Sequence, residues 1–348
     1  MPASDHTERF RHAFAGFDPA RPVMVMTHND ADGLSAGALF WRALARVGRA
    51  ATFRILGRGE NPWTDDIRAE LAGQELGGLL VLDLGARAGE VAPGVPTIVI
   101  DHHVTAGDTV GATVISGYGE EPTPTTSLLA YACAGTLANV SDLLWLAAVG
   151  IIGDLGDKAP FPELAEAKKL YTGTALRELT SLVNAPRRTA AGDPLPAWTL
   201  LAEADNPKDA IGGRHPGVEA LRRAREEVKA EMDRAKRTAP RVKGEVALIV
   251  VDSGAQVHPL VAQTWKGRLK DKVVIAANTG FRPGWVHFAV RSDTGVNLIA
   301  WLRDRAPDEA EAEHYGNGHE QATGGALQER GWSQFLRNIG FGELAEAA

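Results

Sequence analysis

Apolar residues fall into short compact runs separated by longer stretches of helical spacing. Val23–Thr27 is a tight run of β-branched and Met residues, the pattern of a strand buried on both faces. Ala51–Leu56, Leu79–Leu84 and Thr97–Ile100 repeat it. Between them, Leu34–Val47 and Thr64–Leu76 space their apolar residues as helices do, and Ser127–Gly153 is Ala/Leu-rich and helical. Strands alternating with helices predict an α/β fold with a parallel sheet. From Asn184 to Pro216 the chain is rich in Pro, Gly, Ala and Asp without periodicity, which reads as a connection. Val218–Lys236 is a long polar helix laced with charge pairs. A second apolar pattern follows: strands Val246–Val251, Val273–Ala277 and Trp285–Val290, a helix Asn297–Arg303, and the glycine-rich stretch Gly316–Gly325. The expected organisation is a parallel-sheet domain over 1–185, a linker with the long helix over 186–240, and a smaller α/β domain over 241–348.

At 348 residues the chain has room for two domains, at roughly 100–200 residues each. Its 44% hydrophobic and 23% charged residues exclude collagen, coiled coil and bulk disorder. The single cysteine, Cys133, sits in an apolar run and excludes both a disulfide framework and a cysteine zinc site. A net charge of −7 argues against coating of long nucleic acid through phosphate contacts, but leaves small anionic substrates open. No run reaches the ~18 apolar residues of a membrane span, and the opening residues lack an apolar signal core. A cytoplasmic protein without a membrane partner is expected.

The informative feature is where acids and imidazoles fall. His28, Asp30 and Asp32 follow the first strand, and Asp83 lies near the end of Leu79–Leu84. Asp101, His102 and His103 follow Thr97–Ile100, and Asp154 comes at the end of an apolar helix. Ligands of an open parallel sheet bind outside the carboxyl ends of its strands, so all four groups can converge on one edge. Five aspartates and three histidines, with no Lys or Arg among them, would repel if left bare. Mixed carboxylate–imidazole ligation suits divalent manganese, with iron, cobalt or zinc as alternatives. The ligand count exceeds one ion, and two ions about 3.5–4 Å apart with a bridging carboxylate would use it, an arrangement suited to in-line phosphoryl displacement. Individually, Asp30, Asp32 and Gly33 also fit a turn and helix cap.

These residues resemble the motifs of the DHH phosphoesterase superfamily. Asp101-His102-His103 after an apolar strand matches its name-giving triplet. His28–Gly33 (HNDADG), Val81–Gly85 (VLDLG) and Gly153–Asp157 (GDLGD) are similar to the first, second and fourth motifs, in order. Gly316–Gly325 (GNGHEQATGG) resembles the GGH motif of the associated C-terminal domain, with Asn317 in place of the usual second glycine. Arg291-Ser292 resembles that domain's substrate-contacting pair. The resemblance implies a two-lobed enzyme with a cleft between the lobes. It places one metal on His28, Asp30 and Asp83 and a second on Asp32, Asp83, His102 and Asp154, with Asp83 bridging. His103 would face the scissile phosphate and Asp101 would orient a neighbouring histidine. Asp30 and Asp32, two apart in an extended segment, would straddle the ions. Arg291, Ser292, Gly318, His319, Gly324 and Gly325 would hold the substrate phosphate.

Among the family's substrates, the acidity and the lack of room for an added oligonucleotide-binding barrel favour short single-stranded RNA or DNA, or dinucleotides, cut to nucleoside monophosphates. The alternatives are RecJ-like exonuclease action on long single-stranded DNA, or a catalytically silent nucleic-acid-binding scaffold. An oligomer is compatible with the sequence.

Overall fold

A computed structural model describes residues 3–311 and 315–345, with the side chains of Ala3, Ser4, Asn317 and His319 outside that description. The chain divides into two compact units: Met1–Arg187 with Gly192–Arg225, and Arg188–Ala191 with Glu226–Ala348. No helix among the described residues is long and apolar enough to cross a membrane.

The first unit opens with helix α1 (Ala3–Phe14), followed by strand β1 (Val23–Thr27), helix α2 (Ala31–Arg46), strand β2 (Ala51–Ile55) and helix α3 (Asp65–Ala72). Strands β3 (Gly78–Leu82), β4 (Arg87–Gly89), β5 (Thr97–Asp101), β6 (Ala106–Thr109) and β7 (Ala112–Ser116) precede helices α4 (Thr126–Ala134) and α5 (Leu144–Leu155). Five of these strands form one parallel sheet in the order β2-β1-β3-β5-β7, while β4 and β6 pair as a separate ribbon. Every residue of β1, β3 and β5 is buried, which is why they read as continuous apolar runs. Alternate side chains serve two cores. Val25, Leu80, Leu82, Ile98 and Ile100 pack with α2, α4 and α5, whereas Met24, Met26, Leu79, Val81 and Val99 meet Ile67 and Leu71 of α3.

The chain leaves β1 for β2 on one side, then crosses to β3 on the other. The carboxyl ends of β1 and β3 therefore flank a topological switch point, where such sheets bind ligands.

Two expectations need correction here. The helical reading of Ser127–Gly153 divides into α4 and α5 around a turn and a short 3-10 segment, Ser141–Leu143. The stretch 184–216 is not a bare connection. It holds helices Leu195–Glu203 and Pro207–Ile211, and Ala197, Trp198, Leu200 and Leu201 belong to the first unit's core. Trp198 lies so close to Gly37 of α2 that a Cβ there would meet its ring at 2.7 Å.

The long helix spans Gly217–Ala235, with Arg225 grouped in the first unit and Glu226 in the second. The second unit is a six-stranded mixed sheet. Its strands are β8 (Arg241–Lys243), β9 (Val246–Val251), β10 (Val273–Arg282), β11 (Trp285–Ser292), β12 (Tyr315–His319) and β13 (Ala322–Gln328), ordered β12-β13-β11-β10-β9-β8. β9 and β10 are parallel and the other neighbours antiparallel. The glycine-rich stretch is thus a strand pair. Gly318 has φ +127°, and a Cβ at that position would press on Ala322 O at 2.5 Å, so glycine is required there.

Candidate metal centre

The ladder hydrogen bonds run one residue past the strand ends: His28 N donates to Leu82 O (3.1 Å) and Asp83 N to Ile100 O (3.0 Å). They align His28 and Asp83 on the carboxyl edge. Asp83 then takes φ +62°, a left-handed conformation that aspartate tolerates better than most residues. Asp30 is the N-cap of α2 and accepts from Gly33 N at 3.1 Å through Oδ1, leaving Oδ2 for its other neighbours. Asp32 sits inside the first turn of α2 and is fully buried. The extended-segment account of Asp30 and Asp32 is therefore wrong, because the helix begins at Ala31 and Asp32 already lies within it. Gly33 is helical, and glycine is needed because a Cβ would meet His28 Cβ at 2.7 Å and its carbonyl oxygen at 2.8 Å.

The side chains gather in two overlapping groups, each offering ligand atoms within 4.8 Å of one another: His28, Asp30 and Asp83; and Asp32, Asp83, His102 and Asp154. His28 Nδ1 is 3.0 Å from Asp30 Oδ2 and 3.6 Å from Asp83 Oδ2. His102 Nε2 is 3.2 Å from Asp154 Oδ2, 3.6 Å from Asp83 Oδ1 and 3.8 Å from Asp32 Oδ2. Each oxygen of Asp83 thus faces a different group. Asp83 also clusters with His102 and His103.

A divalent cation fits this donor set. His102 Nε2 is buried with no hydrogen-bond partner of suitable geometry among the described residues, although three carboxylates surround it. Buried carboxylates packed together carry the electrostatic consequence. Burial, with Asp32 and Asp30 beside it, raises the Asp83 carboxyl well above the usual range. Burial and Asp154 push Asp32 up to about 6, against the pull of His102. Burial opposes charge on His28, but the Asp30 and Asp83 carboxylates outweigh it and raise the imidazole to about 10. Burial likewise opposes charge on His102, and Asp154, Asp32 and Asp83 raise it to about 9. The strain of excess negative charge is what bound cations would remove.

Neighbouring groups hold the carboxylates. Thr126 N and Ser127 N, at the start of α4, donate to Asp32 Oδ2 (2.8 Å) and Oδ1 (2.9 Å). Thr126 Oγ1 donates to Asp83 Oδ1 at 3.0 Å. Ala31 N donates to Asn184 Oδ1 (3.0 Å). Asp101 accepts from Gly85 N (2.7 Å) and from His103. The expectation that no basic residue joins the cluster also fails: Arg187 Nη1 lies 3.2 Å from Asp30 Oδ2. The two are 157 positions apart, and nothing local in the sequence announces their contact.

The second unit gathers part of the expected phosphate set. Arg291 lines a cavity of about 360 Å³ with Gly324, Gly325, His258 and His287. Its guanidinium donates to Val290 O (2.9 Å) and Thr323 O (3.0 Å), pairs with no carboxylate among the described residues, and is lowered in pKa by burial alone. Ser292 is not brought to that cavity. It is 3% exposed, and its hydroxyl is engaged with Lys272 O and Thr294, since neighbouring residues of a strand point to opposite faces. Gly318 lies in β12, and the side chain of His319 is outside the described residues. Sequence reading missed His258 and His287, which no motif marks.

Neither a family model nor a curated protein matches this sequence. Solved structures do. RecJ from Thermus thermophilus in complex with Mn2+ aligns with 100% of this chain at TM-score 0.72 and 20% identity. This chain spans 55% of that protein's length. An exonuclease RecJ bound to manganese aligns with 99% of this chain and 94% of its own at TM-score 0.69 and 19% identity. A DHH-domain protein described as a member of a family of ribosomal proteins aligns with 97% of this chain and 89% of its own, at TM-score 0.66 and 16% identity. In its parallel α/β unit and its mixed-sheet unit, this chain shares the fold of these RecJ and DHH-domain structures.

Proposed function

We propose that this protein is a metal-dependent phosphodiesterase that hydrolyses short single-stranded oligonucleotides or dinucleotides to nucleoside monophosphates. The observation that carries the reading is the pair of ligand groups sharing Asp83. His28, Asp30 and Asp83 would hold one divalent ion, and Asp32, Asp83, His102 and Asp154 the other, with manganese the favoured metal. Such a pair supplies charge neutralisation for in-line displacement at phosphorus and makes a water molecule more acidic.

The chain's own residues account for the remaining steps. His103 is only half-buried, and Asp101 engages its Nδ1, so Nε2 is the atom that gives or takes a proton at the phosphate. Water contributes the new P–O bond and releases a proton. The bond from phosphorus to the departing nucleoside oxygen breaks, and that oxygen takes up one proton. In the second unit, Arg291 holds a substrate phosphate with a guanidinium that meets no carboxylate among the described residues, beside the backbone of Gly324 and Gly325. Gly318 and His319 are assigned to the same task on resemblance alone.

The net charge of −7 favours short substrates over a long gripped strand. The second reading, exonuclease action on long single-stranded DNA, draws on the likeness to an exonuclease RecJ bound to manganese. Product chromatography separates the two. With Mn2+ and a panel of di- to 24-nucleotide RNA and DNA plus cyclic dinucleotides, fastest cleavage of the shortest members supports the proposal. Faster release of mononucleotides from one end of the longest DNA supports the exonuclease. No cleavage of any member overturns both.

A further inference from the structure

Thr126 makes two contacts that no other residue of the first unit combines among the described hydrogen bonds. Its backbone N–H donates to Asp32 Oδ2 (2.8 Å) and its hydroxyl to Asp83 Oδ1 (3.0 Å). Asp32 belongs to one ligand group and Asp83 to both. Thr126 itself is fully buried, in the first turn of α4, which Thr125 caps. A carboxylate can rotate about its terminal torsion at little cost, since that torsion is broad. For Asp83, rotation would destroy the arrangement in which Oδ2 faces His28 and Oδ1 faces His102. The Thr126 hydroxyl takes one lone pair of Oδ1 and so opposes rotation. The second lone pair of Oδ1 and both of Oδ2 remain for ions.

We infer that Thr126 is the positioning residue of the bridging carboxylate, and that it sets the affinity for both ions of the pair. Partners of ligating groups carry such weight generally, at about 10–100-fold in metal affinity. The inference rests on the two-ion reading above, and the test separates them.

Mn2+ alone is titrated into the metal-free full chain by calorimetry, and the loaded protein is read by electron paramagnetic resonance for a spin-coupled pair. Wild type should bind two ions and show coupling. Thr126→Val keeps the shape and the N–H to Asp32 but deletes the hydroxyl. It should bind both ions ~10-fold or more weakly and lose the coupled signal. Thr126→Ser should restore both. Thr126→Ala serves as a second deletion of the hydroxyl, and melting of each metal-free variant reports folding. Affinity and coupling unchanged in a folded Val or Ala variant overturn the role of Thr126 while leaving the two-ion reading intact. A wild type that binds fewer than two ions overturns the two-ion reading and the inference with it.

Discussion

Asp101 Oδ1 lies 2.6 Å from the backbone N of His103 and 3.0 Å from its ring Nδ1. An ionised carboxylate only accepts, so Nδ1 carries the proton in this pair. Burial works against both charges. The His103 ring and backbone nevertheless hold Asp101 below the usual carboxyl range, and Asp101 raises His103 above the usual imidazole value. Asp101→Asn removes the charge and the tautomer lock. Activity should fall about 10–100-fold, mainly in kcat. With His103 acting as an acid, the alkaline limb of the rate profile should move to lower pH, because its pKa loses the raising partner. A kcat and pH profile equal to wild type would remove this role.

Asp83 couples function to instability. Its carboxyl is raised well above the ordinary range by burial and by Asp32 and Asp30, so its ionised form is disfavoured in the metal-free fold. Asp83→Asn is expected to abolish turnover with Mn2+ and to reduce binding from two ions to one or none. It should also raise the melting temperature of the chelator-treated protein at pH 8, since Asn removes the cost of either protonating or burying a carboxylate that is ionised in the unfolded chain. Retained turnover would sink the assignment of Asp83 as the bridge.

Gly150 is a sharper probe of the space around Asp32. Replacing glycine by alanine within a helix ordinarily gains about 0.5–1 kcal/mol. Here the new Cβ would press on Ser127 Oγ and Asp32 Oδ1, closer than real Cβ atoms come. Overpacking of this kind costs about 1–3 kcal/mol, so the penalty wins. Gly150→Ala should lower the melting temperature and weaken Mn2+ binding together. A stabilised variant with normal metal binding would contradict this packing.

The parts that were legible in the sequence share a physical cause. β1, β3 and β5 are buried on both faces and so appear as unbroken apolar runs, with the acids and imidazoles directly beyond them. The edge strand Ala112–Ser116 is half-exposed, and its mixed residues hid it. The helix Leu195–Glu203 was masked by flanking Pro, Gly and Asp, although Trp198 packs on Gly37. Partners such as Arg187 for Asp30 and Thr126 for Asp83 are separated by 157 and 43 positions, and only the folded chain brings them together. Asp32 was found as a ligand candidate, but its placement inside α2 was not, because the helix begins earlier than its apolar spacing indicates.

Arg291 offers a test confined to the second unit. A guanidinium desolvated by burial and paired with no carboxylate among the described residues is suited to an incoming phosphate. Arg291→Ala should raise KM about tenfold or more, on the scale of a lost charge-assisted hydrogen bond worth roughly 1.5–3 kcal/mol, with Mn2+ affinity unchanged. An unaltered KM would remove Arg291 from substrate binding.

The histidines give the metal-free protein a defined pH response. His28 is raised to about 10 and His102 to about 9, above the 6.5 of a free imidazole. Both are charged in the fold at pH values where the unfolded chain has released those protons. Their stabilisation is therefore fully present below about pH 6.5 and is lost as pH rises through 9 to 10. Asp32, raised to about 6, acts in the same direction at lower pH: its contribution is present below 3.8 and lost as pH rises through 6. The chelator-treated protein should thus melt at lower temperature at pH 9.5 than at pH 7. Mn2+ should flatten that decline, because ligation requires the neutral imidazole and the ionised carboxylate, the forms that high pH favours. Melting curves at both pH values, with chelator and with Mn2+, measure the difference directly. A metal-free protein as stable at pH 9.5 as at pH 7 would show that the carboxylates do not hold protons on His28 and His102.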